Sequence, residues 1–154
     1  RQRQMCIRDR YQLPDALRRL TEKGTTFLPG KVDAWLDCGN KKVTVETNKN
    51  VLNFDQEKGL DLVDVNAEIV NSTIIQPCFI GTGAKIIDSV VGPHVSIGEN
   101  TIVRSSVLSN CLVQHDSSLA HLNLKDSMIG ALVEIHQKPQ DLSIGDFTKI
   151  HNAE

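Results

Sequence analysis

Asp37 is the residue of this chain best placed to do chemistry. It stands in Trp35-Leu36-Asp37-Cys38-Gly39, a carboxylate inside a glycine-terminated turn. Before it, Lys31 to Leu36 alternates well enough for a strand. After it, Asn40 suits the cap of a helix that runs through Val43, Thr47 and Val51 at i, i+4 spacing. A carboxylate at a strand-to-helix turn sits where α/β folds carry catalytic and metal-binding groups. The same residue also suits a plain turn cap, because Asp side chains bond their own backbone. His94, His115, His121 and His136 offer general bases. His115 and His121 flank one segment, yet no spacing supplies the third ligand that a zinc site needs. Gly81-Thr82-Gly83-Ala84-Lys85 has the look of a phosphate loop but no helix follows it. Lys41 and Lys42, just past the Asp37 turn, suit either a phosphate or plain solvent.

The elements that must position these residues show in a repeat. Asn71-Ser72-Thr73-Ile74, Asp88-Ser89-Val90-Val91 and Ser105-Ser106-Val107-Leu108 follow one another at a spacing of 17. Asp126-Ser127-Met128-Ile129 returns after 21, which reads as an insertion in the last coil. Aliphatic residues recur every five or six positions, from Ile74, Ile80, Ile86 and Val91 through Ile97, Val103, Leu108 and Val113 to Leu124, Ile129 and Ile135. Four residues after most of them stands a second inward candidate: Cys78, Ala84, Val90, Val95, Thr101, Val107, Leu112, Ser117, Met128 or Val133. A helix cannot use this period, because positions six apart point about 240° away from one another. A hairpin sheet would alternate at period two and need reversal turns. Short parallel strands wound into a three-sided coil do fit, with glycine after Ile80, Ile97 and Ile129 relieving crowding at the corners. The pattern resembles the left-handed β-helix of hexapeptide-repeat proteins over residues 69–151. Some of these are acyltransferases with a coil-edge histidine as base, a role His94 could fill, and others are carbonic anhydrases. A third reading makes the solenoid a non-catalytic assembly or regulatory module.

Composition narrows the function classes. The chain has 154 residues and a net charge of −2, so no basic face argues for nucleic acid. It has no apolar run long enough for a membrane span. Four cysteines show no disulfide or CxxC spacing, and Cys78 falls at an inward repeat position. A buried reduced thiol there points to the cytoplasm. Residues 1–10 are basic, unpatterned and without an apolar core, and read as a non-native leader on a fragment whose beginning is lost.

Tyr11 to Gly24 reads as an amphipathic helix, with Pro14 in its first turn and Gly24 at its stop. Asp15 suits its cap. Helix, strand and helix over residues 11–53 are too little for a separate core. They read as the C-terminal edge of a larger α/β domain, joined by an acidic connector, 54–68, to the solenoid. The expected fold class is therefore mostly β: a left-handed parallel β-helix preceded by that helix-strand-helix remnant.

Tyr11-Gln12-Leu13-Pro14-Asp15-Ala16-Leu17, then Val32 to Asn40 with its Trp-Leu-Asp-Cys-Gly turn, then hexads such as Gly92-Pro93-His94-Val95-Ser96-Ile97-Gly98 together resemble the sugar-1-phosphate nucleotidyltransferases. The likeness is greatest to the long, β-helix-bearing glucose-1-phosphate thymidylyltransferases. It implies a nucleotidyltransferase acting on a nucleoside triphosphate and a sugar 1-phosphate, with Mg²⁺ as cofactor. It also implies that Asp37 is the catalytic magnesium ligand, and that copies associate as a trimer through solenoid faces. The family's G-x-G-x-R loop, its P-K-P segment and the second metal-binding Asp are absent from these 154 residues, and Arg10 stands where the family has Glu. The resemblance therefore implies an inactive fragment of an active enzyme.

Overall fold

The computed structural model describes residues 13–32, 35–144, 146–147 and 149. The chain divides into two compact units between Trp35 and Leu36. In the first unit lies α1 (Leu13–Glu22), closed by Gly24 at φ +86°, a left-handed stop that favours glycine. Asp15 lies in its first turn, where its carboxylate accepts from Arg18 at 2.6 Å. Tyr11 and Gln12, and the expected leader, lie outside the described residues.

The second unit opens with α2 (Lys41–Glu57) and continues, among the described residues, into thirteen short strands. All strand pairings are parallel and build three stacked faces. The first holds β1 (Glu68–Val70), β4 (Lys85–Ile87), β7 (Ile102–Arg104), β10 (Ser118–Ala120) and β13 (Glu134–His136). The second holds β2 (Thr73–Ile74), β5 (Val90–Val91), β8 (Val107–Ser109) and β11 (Asn123–Lys125). The third holds β3 (Cys78–Ile80), β6 (Val95–Ile97), β9 (Leu112–Val113) and β12 (Met128–Ile129). This is a β-solenoid of about four turns, the expected class. No helix among the described residues is long and apolar enough to cross a membrane.

Two expectations about the repeat need correction. There is no insertion: β8 pairs with β11 as Val107↔Asn123 and Leu108↔Leu124, so Ser106 is followed one coil later by Leu122 and not by Ser127. Coils shorten from 17 residues (Glu68↔Lys85) to 16 (Ser118↔Glu134). The lost residue comes from the corner that holds Gly92-Pro93-His94 in one coil and Ser109-Asn110 in the next. The second correction concerns the smaller inward positions. Val90, Val107 and Met128 face out at 36%, 46% and 44% exposure, and Leu112 is half-buried. Ser89, Ser106 and Cys111 are buried instead, while Ser127 and Val133 are half-buried. The interior partner lies two residues before each aliphatic residue, because side chains alternate along a strand. Counting four forward finds it only where the next side is six residues long.

Those inward serines satisfy buried amides. Ser72 Oγ accepts from the Ser89 amide at 3.0 Å, Ser89 Oγ from Ser106 at 3.1 Å, and Ser106 Oγ from Leu122 at 3.1 Å. Ser106→Ala leaves the Leu122 amide without its acceptor and is expected to cost roughly 1–3 kcal/mol. Equilibrium denaturation measures it, and a change within error would mean that the hydroxyl ladder adds nothing.

Between the third face and the first, the chain needs glycine. A Cβ on Gly81 would lie 2.8 Å from the Glu99 nitrogen, and one on Gly98 would lie 2.5 Å from that of His115. Gly130, with only a side-chain atom 3.9 Å away, has no such crowding. Asn and Asp take many of the left-handed corner positions, with His94, Ser105 and His121 at others, and Asn–Asp pairs bond along the stack: Asn71 to Asp88 at 2.6 Å, Asn110 to Asp126 at 2.6 Å.

The expected strand before Asp37 is not formed among the described residues. Lys31, Val32, Trp35 and Leu36 join no ladder, and Asp33 and Ala34 lie outside the described residues. A strand exists through its partner, and among the described residues none is paired to this segment. Further on, α2 runs to Glu57, into the segment expected as connector, and Val63 bridges to Ile80.

Candidate functional site

The Asp37 turn is built by its own backbone. Oδ1 of Asp37 accepts from the amides of Cys38 at 2.7 Å and Gly39 at 3.1 Å. Glycine at 39 permits this fold of the side chain, since a Cβ there would meet Asp37 Oδ2 at 3.3 Å. Asn40 then starts α2 as expected, its Oδ1 accepting from the Val43 amide at 3.1 Å. The Asp37 carbonyl accepts from Thr47 Oγ1 at 2.6 Å, which ties the turn to the second turn of the helix. The carboxylate is exposed, and no bond from the described residues engages Oδ2. Lys41 and Lys42 are exposed in the first turn of α2.

Helix α2 packs against the solenoid, but not through the face that the i, i+4 pattern suggested. Val45 and Leu52 are buried, and between them Asn48 Oδ1 accepts from Ser96 Oγ at 2.6 Å. Val51 is 40% exposed, and Thr47 serves the Asp37 turn. The helix has two candidate faces, and the solenoid selected the one whose amides meet Ser96 and His94. Val45 also lines a cleft of 350 Å³ with Lys41, Lys42, Glu46, Asn110 and Asp126.

The histidines are spread over the solenoid. His94 Nε2 lies 3.0 Å from Asn53 Oδ1, with the ring donating to the amide oxygen. Desolvation holds the His94 pKa below the usual value, Lys49 lowers it further and Glu46 opposes both. His115 Nδ1 meets Asp116 at 2.7 Å, which with Asn100 holds that carboxyl below its ordinary range. His121 and His136 line one cavity of 310 Å³, where His136 Nε2 meets Ser118 Oγ at 2.9 Å. No group of three His, Cys, Asp or Glu side chains among the described residues converges on a metal position. Burial raises the thiols of Cys78 and Cys111, which keeps them protonated. The Gly81–Lys85 segment is a solenoid corner that enters β4 at Lys85, not a loop leading into a helix.

His94 carries a pH prediction. Its folded pKa lies below the unfolded value near 6.5, so the folded state binds fewer protons. The linked stability is present above about pH 6.5 and is lost as pH falls through the folded pKa. His94→Asn, which tolerates the φ of +61° at this position, should reduce the fall in thermal midpoint between pH 7.5 and 5.5. An undiminished fall would place the acid sensitivity elsewhere.

No protein-family model matches the chain. Three curated relatives do. One, named glucose-1-phosphate thymidylyltransferase, from Streptomyces griseus, is 27% identical over 150 residues, covering 86% of this chain and 41% of the relative. A second of the same name, from Streptomyces antibioticus, is 25% identical over 162 residues, covering 93% and 46%. The chain is similar to glucose-1-phosphate thymidylyltransferases over most of its length. It spans less than half the length of either of these thymidylyltransferases. A fucose-1-phosphate guanylyltransferase from Mus musculus is 37% identical over 57 residues, 37% of the chain and 10% of the relative. The likeness to the thymidylyltransferases reaches across both the Asp37 turn and the solenoid.

Sequence reasoning singled out Asp37 but missed the long-range contacts that hold its turn. Gly39 was legible as a turn terminus. Thr47 and Asn48 were not, because their partners lie ten and 48 residues away.

Proposed function

We propose that this chain is part of a nucleotidyltransferase that makes an NDP-sugar of the dTDP- or UDP-glucose type. The observation that carries this reading is similarity to two thymidylyltransferases along a chain that pairs a Trp-x-Asp-x-Gly turn with a β-solenoid. In the reaction, a phosphate oxygen of the sugar 1-phosphate attacks the α-phosphorus of a nucleoside triphosphate, and the bond to pyrophosphate breaks. Such transfers depend on positioning and on neutralising phosphate charge.

Asp37 fits a single magnesium ligand. Its Oδ1 is held by two amides, which orients the carboxylate and leaves Oδ2 open. Mg²⁺ is typically held by one or two carboxylates plus substrate phosphates rather than by an all-protein cage. Bound there, the ion would neutralise charge on the phosphates. Asp37 would contribute one oxygen, and its turn would keep that oxygen in place. The proposal extends to a cytoplasmic enzyme that assembles as a trimer through its solenoid faces.

The test uses the intact protein that contains this sequence. It should release pyrophosphate from dTTP or UTP with glucose 1-phosphate and have a light-scattering mass of three chains. The 154-residue chain alone should release none above background, because it has no Gly-rich nucleotide loop. An intact protein inert toward every triphosphate and sugar 1-phosphate pair would overturn the enzymatic reading, and a monomeric mass would overturn the trimer.

A further inference from the structure

The contacts of α2 form a connected path from the solenoid to the Asp37 turn. On the solenoid side, Ser96 in β6 donates its hydroxyl to Asn48 Oδ1 at 2.6 Å, and His94 meets Asn53 at 3.0 Å. Val45 and Leu52 seal the helix on either side of Asn48 at 3% exposure each. Asn48 Nδ2 is buried with no partner among the described residues. An apolar residue would avoid that unpaired donor but would give up the Ser96 bond that ties α2 to β6. The next residue back is Thr47. Its hydroxyl donates to the Asp37 carbonyl at 2.6 Å, and the same peptide turn directs the Cys38 and Gly39 amides onto Asp37 Oδ1.

We propose that the solenoid holds the Asp37 carboxylate in its ligating shape through α2, with Thr47 as the positioning residue. This rests on the reading of Asp37 as a magnesium ligand. Thr47 touches neither metal nor substrate in that reading. It fixes the carbonyl of the residue whose side chain does. Removing a residue that orients a metal ligand typically costs about 10–100-fold in metal affinity or activity. The solenoid would then have a function within the catalytic turn itself, apart from assembly.

The experiment compares Thr47→Val, which keeps the branched shape and removes the hydroxyl, with Thr47→Ser, which keeps it. Amide exchange at Cys38 and Gly39 is read by NMR in the 154-residue chain without metal. Thr47→Val should speed exchange at these two amides by about tenfold, the factor one neutral hydrogen bond supplies. The thermal midpoint should fall by no more than about 5 °C, and Thr47→Ser should restore slow exchange. Ser96→Ala should speed the same two amides, which tests the solenoid end of the path. Unchanged exchange at Cys38 and Gly39 in Thr47→Val overturns the proposal. So does an equal acceleration across all of α2, which would mark a merely structural role. In the intact enzyme, Thr47→Val should raise the half-saturating Mg²⁺ concentration with turnover at saturating Mg²⁺ retained. Faster exchange with an unmoved Mg²⁺ dependence would leave the turn's support standing and overturn its ligating role.

Discussion

Asp37→Asn in the intact enzyme is expected to lower turnover by at least about a hundredfold, since a metal clamp supplies several kcal/mol of charge stabilisation in the transition state. The local geometry makes this substitution a clean one. Asn can place its own Oδ1 on the Cys38 and Gly39 amides, so the turn keeps both bonds. What changes is the open oxygen, which becomes an uncharged amide nitrogen unable to ligate a hard cation. The thermal midpoint should therefore stay within error while the magnesium requirement rises. Near wild-type turnover at limiting Mg²⁺ would return Asp37 to the role of a turn cap, and the catalytic assignment would end there.

Ile97→Asp is expected to unfold the solenoid or destabilise it by more than about 4 kcal/mol, a large part of a domain's whole stability. Ile97 is fully buried and stacks in register between Ile80 in the coil before it and Val113 in the coil after it. No cation among its stacking neighbours could pair with the new carboxylate. Glu99, two residues on and exposed at the corner, should tolerate alanine within about 0.5 kcal/mol. Ile97→Val, which only shortens the side chain, should cost about 0.5–1.5 kcal/mol and keeps the comparison measurable if the Asp variant does not fold. Chemical denaturation of the three variants distinguishes them, and equal midpoints would mean that Ile97 does not face the interior.

The solenoid was legible because its signal is local and repeated. Each side places one aliphatic residue inward, and Ile80, Ile97 and Val113 align whether or not the corners between them are counted correctly. The Asn40 cap was legible for a similar reason, as its partner Val43 is three residues away. The smaller inward residues were not. Whether Ser89 or Val90 enters the core depends on the length of the corner before it, and a five-residue side and a six-residue side look alike in sequence.

Asp37 shows the same division at the candidate site. Its residue type and the glycine after it were enough to mark a turn that could hold a cation. The support for that turn was a tertiary outcome. Apolar residues lie on two sides of α2, Val43 and Val51 on one, Val45 and Leu52 on the other, and propensity does not choose between them. The choice came from what the solenoid offered. Ser96 and His94 meet Asn48 and Asn53, Val45 and Leu52 are buried beside them, and Thr47 is left turned to the Asp37 carbonyl. Contacts separated by ten to 48 residues carry no periodicity of their own, so only the folded chain could decide them.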